Sequence, residues 1–364
     1  MMYQSPLPAP YPSLSNEELV SRIGQARRTL GDSTVILTHH YQRPEVVALG
    51  DMRGDSLKLA QFAAAQTKAE YIVYCGVHFM AESADILKQG NQKIILPDMG
   101  AGCDMADMAD AEDVAIAWDE LAQMLGHDSI MPITYINSTA ALKAFVGSKG
   151  GVVCTSSNAT AIVKWALKER KVVFFFPDQH LGRNTARKLG LSLSEMALWE
   201  PGRPCGGNNP SQISNARVVL WRGHCPVHAM FTVKQIDLLL AKDSSFNIIS
   251  HPECPMEVVD KSAFVGSTEY IVKTIAEAPA GSKWAVGTEM NLVNRIATEN
   301  PTKTVVSINQ YMCLCGTMNR IDLNHLLWAL DGIIAGHAPN VITVQEPERS
   351  LARTSLDRML AMSL

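Results

Sequence analysis

The stretch "TVILTHHYQ" (residues 34–42) begins as an apolar, β-branched run and ends in histidine and tyrosine. Two later stretches have the same layout, "IMPITYINSTAALKAF" (130–145) and "FNIISHPECPMEVV" (246–259). Short apolar runs that alternate with segments of helical period are typical of parallel strands buried on both faces. The repeated layout therefore predicts three copies of one α/β unit.

The spacing of polar residues after these strands supports the repeat. A hydroxyl residue follows the end of each first strand after 17, 21 and 17 residues, in the pairs His39–Ser56, Tyr135–Ser156 and His251–Thr268. A cysteine follows each third strand, namely Cys103, Cys225 and Cys315. The middle copy is longer because it contains "WEPGRPCGGNNPSQISNA" (199–216), whose glycine, proline and asparagine content predicts an exposed loop.

Each copy is expected to be a βαβαβ domain with three α/β/α layers. Ligands of open α/β sheets bind beyond the carboxyl ends of the strands, so a pseudo-threefold triangular arrangement would bring the three cysteines around one axis. The predicted boundaries are 1–34 for an N-terminal extension and first helix, 35–104 for the first repeat with the C-terminal helices of 316–364 packing back on it, 105–226 for the second repeat with an insert near 195–216, and 227–315 for the third.

The composition argues against nucleic acid as the main partner. The chain has 364 residues, a formal net charge of −4 and a pI near 6.2, so it has no basic surplus for a phosphate backbone. A small molecule is the expected partner. The N-terminal segment lacks the pattern of a secretory signal, and no apolar run approaches the ~18 residues that span a bilayer. These features predict a cytoplasmic protein without a membrane or nucleic-acid partner.

The eight cysteines are scattered along a long chain, which favours buried thiols, metal ligation or catalysis over a disulfide framework. Three equivalent thiolates would leave one position of a metal site open. Soft thiolates favour zinc or an iron-sulfur cluster. Zinc with three sulfurs and a water would suggest a deaminase, but the histidine and glutamate pattern of that class is missing. A 4Fe-4S cluster with one open iron would suggest a dehydratase.

Two strand ends carry pairs of residues suited to proton transfer. "HPEC" (251–254) places His251 and Glu253 two residues apart, and a carboxylate beside a cation is a usual general base. "THHYQ" (38–42) places His39 and Tyr41 on one face, where both could donate hydrogen bonds to an oxyanion. A solvated glutamate in a loop and a packing tyrosine remain the alternatives.

Further polar residues suggest an anionic substrate. "TYINSTA" (134–140) directs Tyr135 and Asn137 the same way, a pair that could hold a carboxylate, although Asn137 could equally cap a helix. The expected helix starts at "GDS", "TSSN" and "GST" offer free backbone N–H groups that favour phosphate or carboxylate.

An ordered set of motifs closely resembles the quinolinate synthase family. The motifs are "THHYQ", "GDS", "GVHFMAESADIL", "PDMGAGCDMA", "TYINSTA", "CTSSNA", "GHCPVH", "SHPEC", "FVGSTEYI", "GTEMNLVNR" and "CGTMNRIDLNHLLWAL", and they cover nearly all of residues 35–335. The resemblance implies three α/β domains around one 4Fe-4S cluster per chain, held by three cysteines with one open iron. It also implies condensation of iminoaspartate with dihydroxyacetone phosphate to quinolinate, with loss of phosphate and two waters, and functional coupling to L-aspartate oxidase.

The resemblance also assigns residues. The cluster ligands would be Cys103, Cys225 and Cys315, because "CGTM" (315–318) matches the family's C-x-x-M pattern, while Cys205 and Cys313 would not be ligands. The catalytic pocket, which also binds substrate, would contain His39, Tyr41, Tyr135, Asn137, His251 and Glu253. Ser56, Ser156 and Thr268 would bind the anionic groups of the substrates, and Glu253 and Tyr41 would be the main proton carriers.

Three other functions remain open on the sequence. The first is a hydro-lyase of the aconitase type that acts on another hydroxy acid. The second is an iron-sulfur sensor that controls a partner, and the third is a zinc protein. A sensor would not need paired proton-transfer residues at the strand ends.

Overall fold

The computed structural model describes residues 3–309, 311 and 314–362. The chain forms two compact units. Unit 1 consists of Met1–Cys103, Met290–Arg295 and Cys313–Gln345, and unit 2 of Asp104–Glu289, Ile296–Met312 and Glu346–Leu364.

The first repeat lies in unit 1 and begins with a capped helix. Ser15 and Glu18 form a capping box at the start of α1. The elements are α1 (Asn16–Leu30), β1 (Thr34–His39), α2 (Pro44–Val47), β2 (Met52–Gly54), α3 (Ser56–Ala65), β3 (Tyr71–Cys75), α4 (His78–Leu87) and β4 (Lys93–Ile95). These strands are parallel in the order β2-β1-β3-β4.

The second repeat lies in unit 2. Its elements are α5 (Ala111–Leu125), β5 (Ile130–Tyr135), α6 (Ala140–Ser148), β6 (Val152–Cys154), α7 (Ala159–Glu169), β7 (Val172–Phe176), α8 (Gln179–Lys188), β8 (Met196–Trp199), α9 (Pro210–Asn215), β9 (Val218–Trp221) and α10 (Pro226–Ala229). The sheet is parallel in the order β6-β5-β7-β9-β8. One face of this sheet buries Phe174, Phe176 and Trp221 against apolar residues of α5.

The third repeat and the C-terminal segment complete the chain. The elements are α11 (Val233–Lys242), β10 (Phe246–Ser250), α12 (Met256–Lys261), β11 (Phe264–Val265), α13 (Thr268–Glu277), β12 (Lys283–Gly287), α14 (Met290–Glu299), β13 (Thr304–Ser307), α15 (Leu323–Ile334), β14 (Val341–Ile342) and α16 (Glu348–Ala361). The strands of the third sheet are parallel in the order β11-β10-β12-β13.

The prediction of three α/β repeats is confirmed. The strands of each repeat are arranged in its sheet in the same spatial order. The second strand along the chain lies at one edge, and it is followed by the first, the third and the last strand. Each repeat also has a short edge strand, β2, β6 or β11, so the first and third repeats have one strand more than a βαβαβ unit. The second repeat has two more, because it also contains β8. The first strands end at His39 and Tyr135, and β10 ends at Ser250, one residue before His251. The polar residues singled out in the sequence thus lie at carboxyl ends of parallel strands.

The insert of the second repeat is not an exposed loop throughout, so that prediction is wrong. β8 extends the sheet by pairing in parallel with β9. Trp199 at its end is 2% exposed, and Ile213 of α9 is fully buried in the same core. The turn residues between them concealed a strand and a short helix whose apolar side chains face inward.

The C-terminal segment packs on two repeats rather than one. α15 packs against α1, and β14 pairs antiparallel with β4, as expected for a segment that returns to the first repeat. α16 instead packs on α6 of the second repeat, where Ser355 Oγ donates a hydrogen bond to Lys143 O (2.9 Å). The prediction that all of 316–364 packs on the first repeat is therefore wrong for α16. Among the described residues, no helix is both long and apolar enough to cross a membrane.

A glycine permits the close approach of α6 and α16. A Cβ atom at Gly147 would collide with the carbonyl oxygen of Leu351. A clash of this kind costs about 1–3 kcal/mol, whereas glycine to alanine in an open helix gains about 1 kcal/mol. We expect Gly147→Ala to lower the melting temperature by about 2–4 °C for each kcal/mol of net loss, measured by circular dichroism.

The matched control is Gly24→Ala in α1, where the nearest atom lies 3.7 Å from the added Cβ. This variant should melt at or slightly above the wild-type temperature. Equal melting temperatures for the two variants would contradict the proposed contact.

Candidate active site

The Glu253 carboxylate is the centre of a buried polar cluster in unit 2. Its side chain follows β10 and is 3% exposed. Tyr135 OH, at the end of β5, donates a hydrogen bond to Glu253 Oε1 (2.5 Å). His228 Nδ1, in α10, lies 2.8 Å from Glu253 Oε2. The His228 and His251 rings stack with their centroids 4.7 Å apart. The second and third repeats thus both supply residues to one carboxylate.

The turn that presents Glu253 is held by a side chain of α8. Asn184 Nδ2 donates to Pro252 O (2.8 Å) and to Cys254 O (2.9 Å). His251 N donates to Gly287 O (3.0 Å) at the end of the neighbouring β12. These hydrogen bonds satisfy the backbone of a buried turn and fix the direction in which the Glu253 side chain leaves it.

The environment sets the charge of each group. Burial acts to raise the pKa of Glu253, but His251, His228 and hydrogen bonds from His228 and Tyr135 outweigh it and lower the pKa to about 2. Burial lowers the pKa of the His251 imidazole to about 3, although the neighbouring carboxylate opposes the shift. At neutral pH the cluster therefore pairs an anionic carboxylate with a neutral His251, whose Nδ1 accepts a hydrogen bond from Glu253 N (3.3 Å).

A second buried acid lies near this cluster. Asp178 is fully buried and caps α8, where its Oδ1 accepts hydrogen bonds from His180 N (2.7 Å) and Leu181 N (2.8 Å). Burial, followed by the charge of Glu253, raises the pKa of Asp178 well above its usual value. Two buried acidic side chains, Asp178 and Glu253, therefore lie close together in unit 2.

Asn137 follows Tyr135 in a turn that is fixed by neighbouring groups. Ser138 Oγ donates to Tyr135 O (2.7 Å), and the fully buried Lys143 donates to Ser138 O. Asn137 Oδ1 is buried and has no hydrogen-bond partner among the residues the structure describes. An amide oxygen of this kind can bind a donor group of a ligand.

One of the two predicted anion-binding residues of unit 2 opens a helix, and the other does not. Thr268 is the first residue of α13 and is 4% exposed, with Ser267 as the N-cap. Ser156 does not open a helix as predicted, because α7 begins at Ala159 and Ser156 lies in the preceding turn. Ser156 instead lines a cleft of about 420 Å³ with Asn184 and Gly266.

The first repeat holds its predicted residues separately within unit 1. His39 is 4% exposed and Tyr41 is half-buried, and their rings meet edge to face at 4.9 Å. Tyr41 N donates to His39 Nδ1 (3.2 Å). Ser56 is half-buried and is the first residue of α3, which Asp55 caps. The structure places all three at the carboxyl end of the sheet.

An ion pair links the two cysteine-bearing loops of unit 1. Asp98 is 1% exposed and precedes Cys103 by five residues; its Oδ2 lies 2.9 Å from Arg320 Nε, in the segment after Cys315. Gly100 N donates to Asp98 Oδ1 (2.7 Å). A Cβ at Gly100 would lie 2.5 Å from Arg320 Nε, so a larger residue there would displace the Arg320 side chain from its present position.

The described cysteines fall into two groups by their exposure. Cys75, Cys154 and Cys254 are buried, and burial raises the pKa of each thiol, to about 12 for Cys75. The partly accessible ones are Cys103, Cys205, Cys225 and Cys315. The three predicted ligands are thus among the accessible thiols, while Cys313 lies outside the described residues.

Cys225 extends the Glu253 cluster with a sulfur atom. Its Sγ, a ring nitrogen of His228 and a carboxylate oxygen of Glu253 all lie within 4.8 Å of one another. Cys225 is the N-cap position of α10, so His228 follows it by three residues on the same side of a short helix. These three residues could together hold a metal ion.

The sequence motifs predicted Tyr135, His251, Glu253 and Cys225 as site residues but did not indicate three residues that support them. His228 stands inside the quoted motif "GHCPVH", and its C-x-x-H spacing was the available signal. Asp178 and Asn184 gave no such signal. The interaction of Asp178 with Glu253, and the hydrogen bonds of Asn184 to the turn at Pro252, depend on tertiary contacts that one sequence does not reveal.

Comparisons with known proteins agree over nearly the whole chain. The family model described as "Quinolinate synthetase A protein" (NadA) matches residues 21–361. A quinolinate synthase of Anoxybacillus flavithermus is 53% identical over 99% of this chain and 98% of that protein. One of a Geobacillus species is 52% identical over 98% and 97%, and one of Corynebacterium glutamicum is 50% identical over 99% and 91%.

The hydrogen bond from Tyr135 to Glu253 should contribute to stability in a pH-dependent way. The pKa of Glu253 is lowered to about 2, below its value of about 4.3 in an unfolded chain. Its ionised form therefore stabilises the fold above about pH 4.3, and this contribution is lost as the pH falls towards 2. A hydrogen bond to a charged group is worth about 1.5–3 kcal/mol. We expect Tyr135→Phe to melt several degrees below wild type at pH 7, with a smaller deficit below pH 4.

Calorimetric scans between pH 3 and pH 7 measure this deficit. Tyr270→Phe is the matched control, because Tyr270 is 43% exposed on α13. Its small deficit should not change with pH. A Tyr135→Phe deficit that stays constant over the range would contradict the assigned role of the hydrogen bond.

Proposed function

Because the chain belongs to the quinolinate synthase family, we propose that it condenses iminoaspartate with dihydroxyacetone phosphate to quinolinate. The reaction releases one phosphate and two waters and needs no oxidant, since the atoms of the two substrates equal those of the products. Quinolinate synthases are enzymes of NAD biosynthesis, and the chain is assigned to that pathway with its family.

The observation that carries the proposal is the buried Glu253 carboxylate with its donors. A condensation of this kind must remove protons from carbon and deliver protons to departing oxygens, which needs positioned acids and bases. Glu253 is anionic at neutral pH, and Tyr135 OH holds one of its oxygens at 2.5 Å. The second oxygen lies 2.8 Å from His228 Nδ1.

The cysteines fit an iron-sulfur cluster by their chemistry. Cys103, Cys225 and Cys315 are partly accessible, whereas Cys75, Cys154 and Cys254 are buried with raised thiol pKa values. Soft thiolates are the ligands of iron-sulfur clusters. We propose that these three accessible cysteines hold one 4Fe-4S cluster per chain. When bound, such a cluster supplies a Lewis-acidic iron that polarises a substrate oxygen.

Different side chains of the site carry out the separate proton transfers in this proposal. Glu253 accepts a proton from a substrate carbon, and the Tyr135 hydroxyl stabilises the carboxylate before transfer. His251 is neutral because burial lowers its pKa to about 3, so its Nε2–H can donate a hydrogen bond to a carbonyl oxygen without carrying a full charge. Tyr41, in edge contact with His39, is the proposed second proton carrier.

Helix starts and free amide groups suit the anionic parts of the substrates. The first turns of α3 and α13, at Ser56 and Thr268, have the partial positive charge that favours phosphate or carboxylate. Ser156 adds a hydroxyl group before α7, and Asn137 adds an amide. We propose these four residues as substrate-binding groups.

The supply of iminoaspartate and the location of the protein in the cell are also part of the proposal. Imines hydrolyse in water, so functional coupling to L-aspartate oxidase would deliver iminoaspartate before it is lost. A cytoplasmic location remains a prediction, as do the domain boundaries given above.

The first test measures quinolinate from both substrates under anaerobic conditions. General acid–base catalysis contributes about 10²–10⁴-fold, so Glu253→Gln should lower kcat by at least about 10²-fold. Glu257→Gln, at an exposed position of α12, is the matched control and should retain activity. Absence of quinolinate from cluster-replete wild type would favour a hydro-lyase of the aconitase type, and full activity of Glu253→Gln would favour an iron-sulfur sensor.

The second test is iron and sulfide analysis of anaerobically prepared variants. Alanine at Cys103, Cys225 or Cys315 should abolish the cluster and its brown absorbance, since each change removes one of three ligands. Cys205→Ala and Cys313→Ala should keep wild-type iron and sulfide. Retention of the cluster by any of the first three variants, or its loss in either control, would overturn the ligand set; zinc without sulfide in the wild type would indicate a zinc protein.

A further inference from the structure

Unit 2 alone contains three different metal-ligand atoms in one buried pocket. The Cys225 sulfur, a His228 nitrogen and a Glu253 oxygen lie within 4.8 Å of one another. His228 is 1% exposed and Glu253 is 3% exposed, so both are pre-positioned away from bulk water. Sulfur, nitrogen and oxygen from these side-chain types are the donors that zinc accepts, commonly with a water in the fourth place.

Neighbouring groups orient the two buried ligands. His228 Nε2 lies 3.1 Å from Thr288 Oγ1, and this contact leaves Nδ1 facing Glu253 Oε2 at 2.8 Å. The other Glu253 oxygen is held by Tyr135. A ligating histidine that donates its second N–H to a fixed acceptor, and a ligating carboxylate that accepts a hydrogen bond, are the usual outer contacts of a metal site.

The charge of the pocket also favours a cation. Asp178 lies near enough to Glu253 for the two carboxyl groups to interact, and it is fully buried. Backbone N–H groups of His180, Leu181 and Cys225 are directed at its carboxyl group. A divalent ion beside Glu253 would compensate the negative charge of its buried carboxylate, since buried charges are usually paired or coordinate metals.

We propose that the cluster-free protein binds one zinc ion through Cys225 Sγ, His228 Nδ1 and Glu253 Oε2. Zinc bonds of about 2.0–2.3 Å place ligand atoms about 3.3–3.8 Å apart. His228 Nδ1 and Glu253 Oε2, now 2.8 Å apart, would have to separate by about 0.5 Å, and all three ligand atoms already lie within 4.8 Å of one another. Binding releases the proton of the Cys225 thiol and leaves Nε2–H of His228 to donate to Thr288 Oγ1.

This site differs from one made by the three proposed cluster ligands. Two sulfurs on one zinc ion cannot be more than about 4.6 Å apart, whereas cysteines of a 4Fe-4S cluster bind different iron atoms. Zinc at Cys225 and Glu253 would occupy one cluster ligand and the proposed base together. The zinc form is therefore inactive, and zinc must leave before a cluster can assemble.

Cobalt(II) is a suitable probe because it takes similar ligands and is coloured. The test adds Co²⁺ to chelator-treated, cluster-free full-length protein under anaerobic conditions. We expect one cobalt per chain with a thiolate-to-cobalt charge-transfer band, displaced by an equivalent of Zn²⁺. The band should vanish in Cys225→Ala. Affinity should fall at least about tenfold in His228→Gln, Glu253→Gln and Thr288→Val.

The discriminating variants are Cys103→Ala and Cys315→Ala, which should bind cobalt like wild type although they hold no cluster. Cobalt binding lost in either one would place the ion on the three cysteines and overturn the proposal. Wild type that binds no cobalt, or Cys225→Ala that keeps the band, would also overturn it. Circular dichroism confirms that each variant is folded, and Cys225→Ser replaces any Cys225→Ala protein that is not. The readout is metal binding, so the outcome is independent of the synthase activity.

Discussion

The need to compensate one buried carboxylate governs the structure of unit 2. Glu253 has almost no contact with water, so its negative charge depends on donors within the protein. Those donors come from β5 and α10 of the second repeat, while Glu253 itself belongs to the third. Packing of these two repeats and assembly of the acid–base cluster are therefore one event. A change that separates the repeats would leave an unpaired buried charge, which is costly to stability.

Parallel sheets explain why such groups converge. The strands of each repeat all run in one direction, so their carboxyl ends lie at one edge, where the connecting turns carry polar residues. In the second repeat this edge bears Tyr135 and, after β9, Cys225. In the third it bears His251 and Glu253. Repeating one topology thus supplies reactive groups from several modules without a specialised element for each.

Much of this was predictable from the sequence because strand ends have a strong local signal. The transitions at His39 and Tyr135, from an apolar run to polar residues, coincide with the strand ends observed. Predictions failed where tertiary packing overrode local composition. Turn-forming residues in 199–216 concealed the short helix α9, and α16 docks on α6 because Gly147 allows close approach. No periodicity in one sequence specifies which neighbouring surface a terminal helix will cover.

The supporting residues were the hardest to foresee, and they explain how the site can exist before any metal binds. Asn184 acts on a turn 68 residues away, and the Asp98–Arg320 ion pair joins loops that are 222 residues apart. Each contact fixes a loop through groups that are not themselves metal ligands. Because the folded chain has already met the entropy cost of ordering these loops, less binding energy is needed to order them when a metal centre forms. The buried thiols of Cys75 and Cys154, with raised pKa values, lack this arrangement and compete poorly for metal.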